Sequence, residues 1–286
     1  MIVVTGATGA FGRQVVERLL DRGVPASEIA AVARSADKAA DLADRGVQIR
    51  LADYDRPDTL VPAFTGADTL LLVSSTGPDD ERIRQHRAAV AAAAQVGVGL
   101  LVYTSLFRAD TSPLGLGRVH RDTETAIADS ALPSVLLRNG WYTENYTGTL
   151  AGSVERGVIP GSAGDGRIAS AARADLAEAA AIVLTREKQA GRVYELTGDT
   201  AWSLPELAAA TTRQSGRHVS YQDLPPESYA EILTSVGLPD FVVELVVDAD
   251  VQVSRGALAP VTPDLTDLLG RPTTPLAQTV AEALAR

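Results

Sequence analysis

The 286-residue chain contains no cysteine. That excludes disulfides, thiolate nucleophiles, iron–sulfur clusters and cysteine-ligated metals. Histidine is nearly as scarce: His86, His120 and His218 stand far apart, without metal-ligand spacing, so no metal site is expected. Positive charge is in deficit. With 26 Lys and Arg against 36 Asp and Glu, the net charge of -10 disfavours nucleic acid and anionic membranes as partners. No apolar run is long enough to span a bilayer; residues 88–94 are alanine-rich but short. The apolar start is too short for a signal peptide and lacks a basic leader, so a cytoplasmic location is expected. Aromatic residues make up only 5% of the chain, which makes any local cluster of them conspicuous.

What the chain does have is concentrated at its start, MIVVTGATGAFG. Ile2, Val3 and Val4 form an apolar run broken by Thr5-Gly6, and Gly6, Gly9 and Gly12 recur every third residue. From Arg13 the apolar positions Val15, Val16, Leu19 and Leu20 fall on one helical face. A strand therefore feeds a glycine turn that opens a helix, a geometry that offers backbone N–H groups and a helix N-terminus to a pyrophosphate. Gly6 suits a tight turn, Gly9 a close approach of backbone to phosphate, and Gly12 a close helix–strand contact. The spacing G-x-x-G-x-x-G is the form typical of short-chain dehydrogenases.

The first half then alternates strands and helices. Strands are expected at 29–33, 47–51, 69–73 and 100–103, the last ending in Thr104-Ser105, with a sixth at 134–137. Helices are expected at 36–44 (capped by Ser35), 59–64, from about 80 through 94, and 119–128. Strands apolar nearly throughout, alternating with helices, indicate an α/β fold: a Rossmann-type, doubly wound parallel sheet covered on both faces. Ligands of such sheets bind at the carboxyl ends of the strands. Past Ser105 the rhythm loosens: 107–118 read as a loop and 152–172 as a glycine-rich loop region with short strands, with helices at 176–185, 204–215, 227–235, 240–248 and 275–285, and strands at 192–196 and 219–222. The plan is a dinucleotide domain over 1–135 and a smaller α/β substrate-covering region over 136–286, whose segments can interleave with the sheet. Asp175 and Ser203 read as helix N-caps, and Trp202 as buried.

Arg34 closes the second strand, where a domain preferring NAD carries Asp or Glu for the ribose 2′-hydroxyl. A guanidinium there, with Lys38 a helical turn on, suits a 2′-phosphate and points to NADPH. Gly6, Ala7, Thr8, Gly9, Ala10, Phe11 and Gly12 are expected to hold the cofactor with Arg34 and Lys38. Asp53 and Tyr54 border the adenine or form a capped turn. Ser74, Ser75 and Thr76 lie where the cofactor ribose passes, touching it through their backbone, and Thr104 is a further expected cofactor contact. Ser105 fits the serine of short-chain dehydrogenases, but no Tyr-x-x-x-Lys pair occurs; His120 stands at the lysine place and Leu116 at the tyrosine place. His120 is either a proton donor or an exposed helix residue, and its charged neighbours favour exposure. Without the usual acid, the acceptor should already be electron-poor, because a carbonyl needs a proton donor for its developing alkoxide. Asn139, Trp141, Tyr142, Asn145 and Tyr146 then form either a wall of rings and amides beside the nicotinamide or local core packing.

These residues resemble a family, the NmrA-like atypical short-chain dehydrogenase/reductases, and within it the bacterial type-2 NAD(P)H:quinone oxidoreductases. The likeness runs through residues 1–12, 24–27, 52–54, 103–105, 109–116, 137–145, 163–166 and 235–240. It implies NADPH-dependent reduction of a quinone by direct hydride transfer, without flavin or metal. The glycine turn and Arg34 match the family's cofactor positions, and the Asn139 region its nicotinamide-side wall. Asn139, Tyr142, His120 and Ser105 are the candidate catalytic residues, and Asn139, Trp141 and Asn145 are added to the cofactor contacts. The expected partner is a small, flat acceptor, with a homodimer left open. Two rival readings stand: a non-catalytic dinucleotide-binding redox sensor, or a reductase of dyes, enones, ketones or imines.

Overall fold

Parallel strands with apolar side chains on both faces must be covered on both sides, and helices between them supply the cover. The computed structural model describes residues 1–285. The chain runs β1 (Ile2–Val4), α1 (Ala10–Asp21), β2 (Ile29–Ala33), α2 (Ala40–Asp44), β3 (Gln48–Leu51), α3 (Leu60–Phe64) and β4 (Thr69–Leu72). It goes on through α4 (Asp79–Val96), β5 (Leu100–Leu106), α5 (Gly117–Asp129), β6 (Ser134–Asn139), α6 (Glu144–Thr147), α7 (Leu150–Arg156), β7 (Val158–Gly161) and β8 (Arg167–Ile168). Then follow α8 (Arg173–Thr185), β9 (Val193–Leu196), β10 (Trp202–Ser203), α9 (Leu204–Ser215) and β11 (Ser220–Asp223). The last helices are α10 (Pro226–Ser235), α11 (Asp240–Ser254), α12 (Asp264–Leu269) and α13 (Leu276–Leu284).

The chain forms two compact units, the first from Met1–Asp110, Arg118–Asn139 and Leu176–Glu195, the second from Thr111–Gly117, Gly140–Asp175 and the chain from Leu196 onward. The first carries a seven-stranded parallel sheet in the order β3-β2-β1-β4-β5-β6-β9. Val3, Ala30, Leu70, Leu72, Leu101 and Tyr103 pack on one face with Leu60 and Phe64 of α3, Ala89 and Ala93 of α4 and Ile127 of α5. Val4, Ala31, Leu71 and Val102 alternate with them and are equally buried, so both faces are covered. The strand order reverses between β1 and β4, which places a ligand crevice outside their carboxyl ends. This is the Rossmann-type α/β fold that the alternation implies.

The second unit has a separate core, in which Trp141, Leu150, Ile159, Trp202, Leu207 and Val253 come together. Around it lie two small sheets, β8 with β10 antiparallel and β7 with β11 parallel. The N-cap at Ser203 is realised as a full capping box: the Ser203 hydroxyl accepts the Glu206 N–H and the Glu206 carboxylate accepts the Ser203 N–H.

Several boundaries differ from the sequence reading for identifiable reasons. β5 runs through Leu106 and β6 through Asn139, because the two pair in register as far as Leu106 opposite Asn139. Thr104 and Ser105 are thus inside a strand, although their polarity suggests its end. The helix expected over 36–44 with Ser35 as cap is a 3-10 turn, Asp37–Ala39, followed by five-residue α2, and neither start has a side-chain cap. The Lys38 carbonyl, which a continuous α-helix would engage, instead accepts Arg13 Nη2 at 2.7 Å. Asp175 lies inside the first turn of α8 and is not its cap. It is buried, accepting the Thr274 N–H at 2.6 Å and Arg271 Nη2 at 2.9 Å, so it fastens 271–274.

Candidate functional site

The turn after β1 is shaped by its glycines. Gly6 has φ +59, a left-handed conformation that a side chain would strain, and a Cβ at Gly12 would run into the Gly6 carbonyl. Gly9 is the N-cap of α1, which has no side-chain cap and no acidic residue in its first turn. A helix start with neither a side-chain cap nor a negative charge is a receptive place for a phosphate. Gly9 and Ala10 are exposed, whereas Ala7 and Phe11 are buried beneath the turn.

Thr5 braces the crevice at the strand reversal. Its hydroxyl donates to the Leu71 carbonyl at 3.0 Å while accepting the Val73 N–H at 2.8 Å and the Tyr54 hydroxyl at 2.6 Å. Tyr54 therefore ties the end of β1 to that of β4, and burial of its hydroxyl raises its pKa. Asp53 forms the capped turn, its carboxylate accepting the Asp55 N–H at 3.1 Å. Arg34 is exposed at the end of β2, with Lys38 exposed nearby, and Arg34 makes no ion pair among the described residues. The loop after β4 is anchored inward: Ser74 N–H donates to Thr104 Oγ1 at 2.8 Å and Ser75 N–H to His86 Nε2 at 2.9 Å. The glycine cradle and uncapped helix start fit the pyrophosphate of a dinucleotide. Arg34 fits the phosphate that distinguishes NADPH from NADH.

The ends of β5 and β6 are built differently. Ser105 Oγ donates to Glu124 Oε1 at 2.5 Å, and Arg138 clasps the same carboxylate with Nε and Nη2 at 3.0 and 2.7 Å. Arg138 Nη1 also reaches Glu195 at 2.9 Å and Asp110 at 3.0 Å. The Glu124 and Glu195 carboxylates hold the guanidinium charged and its pKa well above the usual range. Asn139 is buried, and its carbonyl accepts the Phe107 N–H at 2.8 Å.

His120 is buried, contrary to the exposure its charged neighbours suggest, and its Nδ1 lies 2.8 Å from the Tyr103 hydroxyl. α5 turns those neighbours outward, Asp122 to Arg87 and Arg121 to the Ala109 carbonyl. Burial, with Arg82 and His86 nearby, pushes the His120 pKa far down, so the ring is neutral near pH 7 and has no extra proton to give.

In the second unit, the aromatic segment after Asn139 divides. Trp141 and Tyr146 join the core there, Tyr146 packing edge-on against Trp202 with ring centroids 5.3 Å apart. Tyr142 is half-buried with the Arg173 guanidinium 5.3 Å from its ring centre, and Asn145 is exposed. The wall is thus mostly core packing, with Tyr142 and Asn145 the accessible members.

Sequence reading missed Thr5, His86 and the Glu124–Arg138 pairing, because each depends on a partner from a distant segment. Among the described residues no cluster of His, Asp and Glu could hold a metal, and no helix is long and apolar enough to cross a membrane.

Comparison with known proteins places this geometry. A family model described as NAD(P)H-binding matches residues 6–187. The chain is 48% identical over 281 residues to quinone oxidoreductase 2 of Escherichia coli K12, covering 98% of each. The crystal structure of that Escherichia coli NADPH-dependent quinone oxidoreductase with NADPH superposes with a TM-score of 0.95 over 99% of this chain and 100% of the other. The triphenylmethane reductase of Citrobacter sp. complexed with NADP(H) is 38% identical, with a TM-score of 0.95 over 99% of this chain and 100% of that one. The chain belongs to the NAD(P)H-binding family, on its NmrA-like side.

Proposed function

We propose that this protein is an NADPH-dependent oxidoreductase that passes hydride directly to a quinone or a similarly flat, electron-poor acceptor. The observation that carries the reading is full-length likeness to an NADPH-dependent quinone oxidoreductase, joined to a glycine cradle with Arg34 open beside it. When bound, NADPH supplies the hydride from its nicotinamide ring. The protein's residues bind and orient. The turn from Gly6 to Gly12 and the start of α1 take the pyrophosphate, and Arg34 with Lys38 the 2′-phosphate. Tyr54 and Thr5 keep the ends of β1 and β4 at a fixed spacing. Asn139, at the end of β6, serves the acceptor side.

Holding two flat reactants in register supplies most of the rate advantage, because it replaces a bimolecular encounter by an ordered one. No acid on this chain is required. The Ser105 hydroxyl is committed to Glu124, His120 is neutral, and the hydroquinone anion formed by hydride transfer takes its one proton from water. Anaerobic mixing with a small benzoquinone should consume one NADPH per quinone, with a rate that survives His120→Gln. Tight NADPH binding without turnover on any quinone would favour the sensor reading, and turnover confined to dyes or imines the alternative reductase.

A further inference from the structure

The loop after β4 is held by a chain of hydrogen bonds that only one tautomer of His86 can close. Ser75 N–H donates to His86 Nε2 at 2.9 Å, and the Ser75 hydroxyl lies 3.1 Å from the same nitrogen. An amide N–H can only donate, so Nε2 is the bare nitrogen and Nδ1 carries the hydrogen. Nδ1 faces Thr123 Oγ1 at 2.8 Å, and the Thr123 hydroxyl spends its own hydrogen on the Val119 carbonyl at 2.8 Å. Each hydrogen in the series therefore has one destination, from the loop through α4 to α5.

The surroundings keep the ring neutral. His86 is fully buried, with Arg82 one turn earlier on α4, Asp122 on α5, and the Tyr103 ring of β5 edge-on at 5.8 Å. Burial and the Arg82 charge press its pKa down to about 3, against a smaller upward pull from Asp122. Protonation would set an Nε2–H against the Ser75 N–H, two donors facing each other in a closed space. The neighbouring Ser74 N–H is spent inward as well, on Thr104 Oγ1. The Ser74 and Ser75 amides therefore face inward, and the shape of the loop there depends on those two bonds.

We propose that His86 is a positioning residue: as an Nδ1–H imidazole it holds Ser74 and Ser75 in the conformation that receives the dinucleotide, without touching it. The proposal rests on the cofactor reading above. Gln places its amide oxygen near the position of Nε2, whereas Asn reaches only the position of Nδ1. His86→Gln should therefore keep NADPH affinity within about threefold, and His86→Asn should weaken it roughly tenfold while changing kcat at saturating NADPH much less.

The direct test is nitrogen-15 NMR of the histidine side chains of the whole wild-type protein, alongside fluorescence titration of both variants with NADPH. The expected result is a His86 that stays Nδ1–H and does not titrate between about pH 5 and 8, with Gln rescuing what Asn loses. An Nε2–H tautomer, titration in that range, or equal affinities of the two variants would overturn it. Wild-type protein that binds no NADPH would refute the cofactor reading and the role assigned to His86. The NMR result still distinguishes that failure from a wrong tautomer.

Discussion

The carboxyl edge of the first unit's sheet has two polar regions of opposite character. At β1 and β4, polarity comes from backbone amides and hydroxyls around a glycine turn, and Arg34, at the end of neighbouring β2, is exposed without an ion pair among the described residues. At β5 and β6, polarity comes from full charges gathered round one guanidinium: Arg138 holds Glu124, Glu195 and Asp110, while Ser105 is bonded to Glu124. The first region offers a glycine turn, a helix start without a side-chain cap and an exposed cation, and the second ties its guanidinium to neighbouring carboxylates. A guanidinium clasped by carboxylates of neighbouring segments is architecture, whereas a helix start without a cap beside an exposed cation suits an anion. Asp250 on α11, in the second unit, sharpens the contrast. It is a buried carboxylate without an ion pair among the described residues, accepting the Ser162 N–H at 2.9 Å.

The closed region is where a substitution should cost most. Glu124→Ala removes the bidentate partner of a buried Arg138 and the acceptor of Ser105, and should lower unfolding free energy by about 4 kcal/mol in urea titrations. A loss below about 1 kcal/mol would mean the network is solvated after all. Asp250 should show the opposite sign. Burial raises its pKa from 3.8 to about 6, with Asp223 adding to the rise and the Ser162 N–H opposing it. A folded-state pKa above the unfolded one means the folded protein binds the extra proton, so stability falls as pH rises from about 4 through about 6. The whole effect is about 3 kcal/mol. Asp250→Asn should remove that fall and be the more stable protein at neutral pH; parallel stability–pH curves would contradict it.

The open region should respond in binding rather than in folding. Arg34→Ala should weaken NADPH by about 2 kcal/mol, roughly 30-fold, and leave NADH nearly unchanged. Calorimetry showing equal losses would move the 2′-phosphate elsewhere. Tyr54→Phe removes one hydroxyl from the Thr5 brace and should cost about 1 kcal/mol of stability, with a few-fold loss of NADPH affinity. A change in affinity larger than that of Arg34→Ala would mean that the phenol itself meets the ligand.

The same contrast governs what could be read from the chain before folding. The glycine turn, Arg34 and the strand–helix alternation are local: each announces itself within a few residues, and the covered parallel sheet follows from strands apolar on both sides. The Ser203 capping box is equally local. The partners of Ser105, His86 and Asp175 are not, since Glu124, Thr123 and Thr274 reach them only when separate segments meet. Polar residues at the end of an apolar run therefore looked like a strand end at Thr104-Ser105, where the register with β6 carries the strand on. His120 misled for the same reason. Arg121 and Asp122 are turned away to Ala109 and Arg87, but helical rotation sends the ring inward to Tyr103.

A crystal structure of the protein with NADP bound would test the open region most directly. The pyrophosphate should lie over the turn from Gly6 to Gly12 and the 2′-phosphate on Arg34, with the Glu124–Arg138 network unchanged. A dinucleotide lying elsewhere, or a 2′-phosphate turned away from Arg34 into solvent, would contradict it.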